Sequence, residues 1–293
     1  MKVAGFTFIK NAVQFDYPVV ESIRSVLPLC DEMIVAVGDS TDSTRDLITG
    51  IGSDKIRIID TIWNDALKEG GAVLADETNK AFHAINSDPD WCLYIQGDEV
   101  LHEQYHDNVR KAMQQWKDDP QVDGLLFKYR HFYGSFDYVA NSSKWYRNEI
   151  RIVRHNPSIY SYRDAQGFRK GNDEKLRVKT TDAYMYHYGW VRPPQTMLDK
   201  VKNFENYWGE DPGLIERVAV QHSNNFDYSR IDSLEKFTGT HPKVMQERID
   251  KMNWKFDYDL SYNKTTFKES FKQLVEKITG RRPFDYNNYI KLP

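Results

Sequence analysis

Cysteine is almost missing from this chain of 293 residues: there are two, Cys30 and Cys92, and both fall in or beside apolar runs. A disulfide framework or a cysteine-ligated metal is therefore not expected, and a reducing compartment, the cytoplasm, is. No stretch of about 18 apolar residues occurs, so no membrane-spanning helix is expected. The N-terminus enters an apolar run with no basic leader, so neither an anchor nor an export signal is expected there. A dominant charge is missing too. The formal net charge is -3 and the 40 basic residues are scattered, which argues against a nucleic-acid partner or an acidic tail and in favour of a small polar ligand. There is no internal repeat and no low-complexity segment.

What is present is a hydrophobic content of 40%, with 14% aromatic residues, enough for a buried core. The first half alternates strand-like apolar runs with amphipathic stretches, the signature of an α/β fold with a mostly parallel sheet flanked by helices. Val3 to Ile9, Met33 to Val37, Ile56 to Ile62 and Trp91 to Ile95 are the expected strands. Pro18 marks a helix start, with Val20, Ile23 and Leu27 as its apolar stripe and Pro28 as its end. Ser40 to Thr44 begins a short helix that stops at Gly52, and an Ala-rich helix presents Leu74, Ala81 and Ile85. Beyond about residue 125 the pattern changes to aromatic-rich strands, Leu125 to Tyr129, Glu149 to Val153 and Ala183 to Tyr188. After Pro193-Pro194, Met197, Val201, Phe204 and Trp208 fall at helical spacing. Thr266 with Glu269 forms a capping box ahead of Phe267, Phe271, Leu274 and Ile278.

In open α/β sheets the ligand crevice lies beyond the carboxyl ends of the strands. Gln96-Gly97-Asp98-Glu99 and Gly38-Asp39 are therefore expected to face one opening. A carboxylate at a strand end is suited to a hard divalent cation, and Asp98 is placed for that.

Two segments resemble known ones. Asp31 to Thr44, reading DEMIVAVGDSTDST, is similar to the early nucleotide-binding stretch of family-2 glycosyltransferases of the GT-A fold, and Asp90 to Glu99 is similar to their later metal-binding stretch. The intervening strand and Ala-rich helix containing Asn79 match the family's spacing. The match is specific over residues 1 to about 105. It implies a GT-A-like, Rossmann-like sheet with an aromatic-rich acceptor half and a helical C-terminal region, divided as a catalytic domain over 1–192 and a helical region over 193–293. It also implies a nucleotide-diphosphate sugar donor, a carbohydrate or lipid-linked acceptor, a cofactor of Mn2+ or Mg2+, and an inverting transfer.

The chain departs from that pattern at Gln96, where the family has an aspartate, which leaves Asp98 as the loop's direct carboxylate ligand and makes Gln96 a donor contact. Val37 and Gly38 stand where acidic residues contact the nucleoside, leaving Asp39. The segments Tyr186 to Arg192 and Asp164 to Arg169 resemble a less studied branch of the same superfamily, and in GT-A enzymes a late-strand histidine can complete the metal shell. His187 matches that position, and Arg192 is placed to reach the diphosphate. An inverting transfer needs a carboxylate base from the second half of the chain, and Asp164 is the choice, with Asp173 and Glu174 as alternatives. Trp145 and Tyr146 lie in a polar segment and are the better candidates among the aromatic residues from Tyr129 onward for stacking an acceptor sugar.

Two rival readings stand beside this one. Gln96 is compatible with a binding protein on the same scaffold that has lost turnover. His102-Glu103-Gln104-Tyr105-His106 satisfies the H-E-x-x-H pattern of a zinc peptidase, two histidines on one helix face with a glutamate base.

Overall fold

The computed structural model describes residues 1–293 apart from 65, 68, 87, 209–224, 264–270, 273, 277 and 279–286. Its centre is a parallel sheet in the order β3 (Ile56–Asp60), β2 (Glu32–Val37), β1 (Val3–Ile9), β4 (Trp91–Tyr94). Strands covered on both faces must be apolar almost throughout, and this is what their sequences supply: every residue of β1 except Phe8, every residue of β2 except Glu32, and all of β4 are buried. Burying each such Val, Ile, Leu or Phe stabilises the fold by about 1.5–3 kcal/mol. The chain runs from β1 through β2 to β3 and then returns to the far side of β1 as β4. The crevice of such a sheet opens where the order reverses, at the carboxyl ends of β1 and β4.

The sheet continues past β4 in antiparallel fashion through β8 (Asn148–Val153) and β6 (Gly124–Tyr133), and β6 pairs in parallel with β12 (Arg177–Trp190). Between them these strands form the curled, GT-A-like α/β sheet that the sequence leads one to expect. β6 and β12 are both longer than the hydrophobic runs suggest, because half-buried Arg, Lys and Thr positions continue the ladder. A short β5 (Glu99–Leu101), unmarked in the sequence, pairs antiparallel with β12.

Helix α1 (Val19–Val26) buries Val19, Ile23 and Val26, so its inward stripe is rotated from the expected Val20, Ile23 and Leu27. The cause is polar. Ser22 and Ser25 also face inward: the Ser22 hydroxyl donates to the Gln96 carbonyl at 2.8 Å, and Ser25 Oγ accepts from the Leu101 amide at 3.0 Å. The helix thereby clamps the loop between β4 and β5. Pro28 lies in a 3-10 turn, Leu27–Leu29, that follows the helix. α2 (Thr44–Thr49) lies on the same face of the sheet, its Ile48 joining the core cluster of α1, and α3 (Ala72–His83) covers the opposite face, burying Leu74 and Ala81.

The region after 192 begins with α4 (Pro194–Trp208), on which Met197 and Val201 are buried. It also adds strands: Leu234–Lys236 pairs with Tyr138–Ala140, and Ile290–Lys291 pairs with β12. The capping box of Thr266 and Glu269, with Phe267, lies outside the described residues. Cys30 and Cys92 are buried and free. Among the described residues no helix is long and apolar enough to cross a membrane.

Candidate functional site

Asp98 is set by two backbone interactions. Glu99 N–H bonds to the Gln96 carbonyl at 3.0 Å, closing the turn after β4, and the Tyr188 amide donates to the Asp98 carbonyl at 2.8 Å, tying that turn to β12. Because successive residues of a strand point to opposite faces, Asp98 and Glu99 separate. Glu99 turns into the core, where Arg151 holds it with two bonds of 2.9 and 2.8 Å and the Tyr129 hydroxyl donates to it at 2.7 Å. Asp98 turns toward a cleft of about 460 Å3 lined by the carboxyl ends of β1 and β4 and by Asp164, Tyr146, His187, Trp190 and Lys200.

Around Asp98 the charges are cationic. Lys200 Nζ lies 3.3 Å from Asp98 Oδ2 and also donates to the Gly189 carbonyl at 2.9 Å. Burial by itself raises a carboxyl's pKa, but Lys200, His187 and Arg192 outweigh it and pull Asp98 down to about 2. Lys200 is lowered as well, to about 7, by burial and by Arg192. Arg192 is fully buried, and none of its three guanidinium nitrogens has a hydrogen-bond partner among the described residues. Its guanidinium lies 4.8 Å from the centre of the Tyr17 ring, over which Lys200 sits at 5.1 Å. Two buried cations facing one carboxylate leave positive charge for an anion to meet.

His187 sits opposite His131 in the β12–β6 register, and their Nδ1 atoms are 3.1 Å apart. His131 Nε2 lies 2.8 Å from the Tyr146 carbonyl, which can only accept, so Nε2 carries the proton. Burial, with His187 adding to it, drives the His131 pKa well down and keeps the ring neutral. His131 Nδ1 is then an acceptor, and His187 must donate from its own Nδ1. The His187 pKa is lowered, burial being the main cause. Its Nε2 is therefore a bare lone pair, 3.7 Å from Asp98 Oδ1.

The space before them is open because residue 189 is glycine. A Cβ at Gly189 would come 2.5 Å from His187 Nε2 and 2.8 Å from Asp98 Oδ2. The donor pair, the bare nitrogen and this glycine-made gap fit a divalent cation with oxygen and imidazole ligands. Among the described residues no group of three or more His, Cys, Asp or Glu side chains is arranged as a metal site.

Gln96 lines the cleft, and its amide Nε2 donates to the Ala165 carbonyl at 3.2 Å. An aspartate there could not donate. Gln96 thus ties the Asp98 turn to the Asp164 turn. Asp164 lies on the cleft wall, and burial raises its carboxyl pKa. The alternatives lie on a separate antiparallel sheet of Ile159–Tyr162, Gly167–Lys170 and Glu174–Lys175: Asp173 is in its last turn near Arg169 and Tyr160, and Glu174 is exposed on its last strand. Asp39 accepts from Lys10 Nζ at 2.7 Å and from the Trp63 amide at 3.1 Å. Burial opposes ionisation of Asp39, but Lys10 and the Trp63 amide lower its pKa overall. Lys10 and Trp63 line the cleft beside Phe8.

The peptidase pattern is dismantled by the structure. Glu103–Tyr105 is a 3-10 turn, and the α-helix begins only at His106. His102 Nδ1 caps that turn, His102 Nε2 meets Thr240 Oγ1 at 3.0 Å, and His106 Nε2 donates to the Ser25 carbonyl at 2.8 Å. Glu103 accepts from the Lys243 amide.

No family model matches this chain, and no curated protein matches it. Among solved structures it is similar to Staphylococcus aureus TarS at 14% identity and a TM-score of 0.41, over 76% of this chain and 41% of that one. It is similar to S. aureus TarS 1–349 in complex with UDP at 15% identity and a TM-score of 0.41, over 76% and 68%. A third is Mycobacterium tuberculosis glucosyl-3-phosphoglycerate synthase in complex with Mn2+, UDP and phosphoglyceric acid, at 17% identity and a TM-score of 0.31, over 44% and 43%. The chain therefore spans less than half the length of the first of these. Such distant likenesses do not bear on activity.

Of the residues singled out in the sequence, Gln96, Asp98, Asp164 and His187 line the cleft, while Arg192 lies behind that lining, close enough to Asp98 to lower its pKa. Lys200 and His131 were missed. Lys200 is one of 40 basic residues, distinguished only by falling on the same helix face as Met197.

Proposed function

We propose that this chain is a glycosyltransferase that takes a sugar from a nucleoside diphosphate donor in the cleft and passes it to a hydroxyl of a carbohydrate or lipid-linked acceptor. The observation that supports this most is Arg192, a fully buried guanidinium that has no hydrogen-bond partner among the described residues, beside Lys200. An unpaired buried charge is costly unless a ligand completes it, and a diphosphate supplies the oxygens both cations need.

Asp98 and His187 Nε2 hold the divalent cation, Mn2+ or Mg2+, which when bound offsets negative charge on the leaving diphosphate. Asp39, with Lys10 and Trp63, contacts the nucleoside. Asp164 serves as the base: its carboxylate takes the proton of the acceptor hydroxyl as that oxygen bonds to the anomeric carbon and the bond to the diphosphate breaks, with inversion. Its raised pKa suits a group that must accept a proton. Gln96 holds the Asp164 turn against the Asp98 turn.

The test is a thermal-shift series with nucleoside diphosphates, with and without manganese, on the wild-type chain and on Asp98→Asn. A melting temperature raised by a diphosphate, more so with manganese and not in Asp98→Asn, is the expected result. No shift with any nucleoside diphosphate overturns the reading. Slow hydrolysis of the donor without acceptor separates a transferase from a pure binder. Loss of turnover in Asp164→Asn by about a hundredfold, at unchanged donor affinity, assigns the base.

A further inference from the structure

The loop that follows β1 brings Phe15 and Tyr17 to the cleft, and its two ends are held by different parts of the chain. At its entrance the Asn11 amide bonds to Ser40 Oγ at 3.0 Å, the Ala12 amide to Thr44 Oγ1 at 2.7 Å and the Gln14 amide to Asp42 at 2.7 Å. All three acceptors come from the segment after β2. Within the loop the Phe15 amide bonds to the Asn11 carbonyl and the Tyr17 amide to the Ala12 carbonyl. Turning this tightly takes Asn11 and Asp16 through the left-handed region, at φ of 52° and 49°. Asn and Asp enter that region more readily than other residues with a side chain, though not without cost.

At its exit the loop is held from far along the sequence. Arg248, on the short helix Gln246–Asp250, gives one guanidinium nitrogen to Asp16, a second to the Tyr17 carbonyl at 3.4 Å and its Nε to Glu21 at 3.3 Å. Burial pulls the pKa of Arg248 down, but Glu21 and Asp16 outweigh it. The segment that carries Arg248 is itself fixed: Met245 is fully buried, the Lys243 amide donates to Glu103, and His241 Nε2 donates to the Phe136 carbonyl at 3.0 Å while its Nδ1 accepts from the Tyr188 hydroxyl at 2.8 Å.

A partly exposed ion pair adds little to stability, so the consequence of this one lies in what it aims. The Tyr17 ring is the group that Arg192 and Lys200 share, at 4.8 and 5.1 Å. An aromatic face attracts cations, most strongly where water is excluded. We propose that Arg248 is a positioning residue: by holding Asp16 and the Tyr17 carbonyl it sets the Tyr17 ring against both cations and keeps them where a diphosphate meets them. Arg248 is not part of the cleft lining and acts through Tyr17. The inference rests on the reading of the cleft as a nucleoside diphosphate site.

The experiment is calorimetry of the full chain with the diphosphates of adenosine, cytidine, guanosine and uridine, each with manganese, well below the melting temperature. Arg248→Met is expected to weaken binding about tenfold, the scale of one desolvated cation–π contact. Arg248→Lys keeps the charge but not the fork that reaches three acceptors, and is expected to recover only part of the loss. Tyr17→Leu is expected to lose as much as Arg248→Met, and the double variant no more than either, because residues that act through one another are not additive. Asp16→Asn keeps a side chain suited to the left-handed backbone, moves affinity the same way by less, and serves if Arg248→Met is unstable. A lowered melting temperature with unchanged diphosphate affinity makes Arg248 a brace of the fold and overturns the proposal. Additive losses in the double variant overturn it too, since Arg248 then acts by another route. A wild-type chain that binds none of the four removes the proposed function and this inference with it, whereas binding that is equal in wild type and variants removes this inference alone.

Discussion

Arg151 and Arg192 are both fully buried, yet they live in opposite circumstances. Arg151 gives two bonds to Glu99 and one to the Ile150 carbonyl, and lies between the rings of Tyr94 and Tyr129. Arg192, at the end of β12, has no hydrogen-bond partner for its guanidinium among the described residues. Both charges are desolvated at similar cost. In one case the protein completes the charge, which makes the pair part of the fold. In the other no described residue completes it, and on the proposed reading a bound diphosphate does. The same contrast separates the neighbours Glu99 and Asp98, one turned into the core and one toward the cleft.

Breaking the satisfied side has the largest expected effect. Arg151→Met leaves Glu99 buried without its cation, and removing one partner of a buried pair costs about 3–5 kcal/mol. Urea denaturation of the variant reads this as a lower midpoint at unchanged slope. A variant as stable as wild type means Glu99 finds another way to be satisfied, and the comparison fails on its structural side.

Breaking the unsatisfied side moves a different quantity. Arg192→Met removes a charge that the apo protein pays to bury, so the melting temperature is expected to hold or rise. Nucleoside diphosphate affinity falls by about ten- to a hundredfold, the equivalent of losing one or two charged hydrogen bonds worth about 1.5–3 kcal/mol. Calorimetry with a nucleoside diphosphate and manganese decides it. Lost stability with unchanged affinity makes Arg192 a core residue.

A subtler version concerns orientation. His131→Phe keeps the ring's bulk but removes the acceptor that fixes His187 as the Nδ1–H tautomer. Removing such an outer partner is expected to weaken manganese binding by about ten- to a hundredfold. His131→Asn, which offers an acceptor oxygen, should recover part of the loss. Equal manganese affinity in all three proteins means that the His187 tautomer is set by something else.

These pairings explain what could be read from the sequence. β1, β2 and β4 were legible because a strand buried on both faces leaves a continuous apolar run, and Asp98 because it follows such a run. His187 was singled out through a segment resemblance, and the structure sets it on the cleft wall beside Asp98. Glu99 was read together with Asp98 as facing the opening, but strand alternation sends it inward, and its partner Arg151 is 52 positions away. His131 depends on the β6–β12 register, which no local pattern encodes. Lys200 approaches from α4, whose placement is tertiary. The H-E-x-x-H match failed because a motif on a helix presupposes a helix, and here the first turn is 3-10 with both imidazoles already committed.

The smallest expected effect comes from a carboxyl that neither the fold nor the site completes. Glu149, on β8, is buried, and its Oε2 has no hydrogen-bond partner among the described residues. Burial is the main cause that pushes its pKa up to about 8; Arg151 opposes the rise and Glu99 adds to it. In the unfolded chain the group titrates near the ordinary glutamate value of about 4.3. Between those two values the folded protein holds a proton that the unfolded chain releases, so the stability of the fold declines as pH rises through this window and levels off above pH 8. Glu149→Gln keeps the shape and cannot ionise. Its advantage over wild type is expected to be absent near pH 4 and to grow to about 1–3 kcal/mol at pH 8, the usual cost of leaving a buried polar group unsatisfied. Urea midpoints of both proteins measured at intervals from pH 4 to pH 8.5 check this directly. A constant difference across that range shows that Glu149 does not titrate in the window. A variant that grows relatively weaker with pH shows that Glu149 is ionised and well partnered in the folded protein, on the same footing as Glu99.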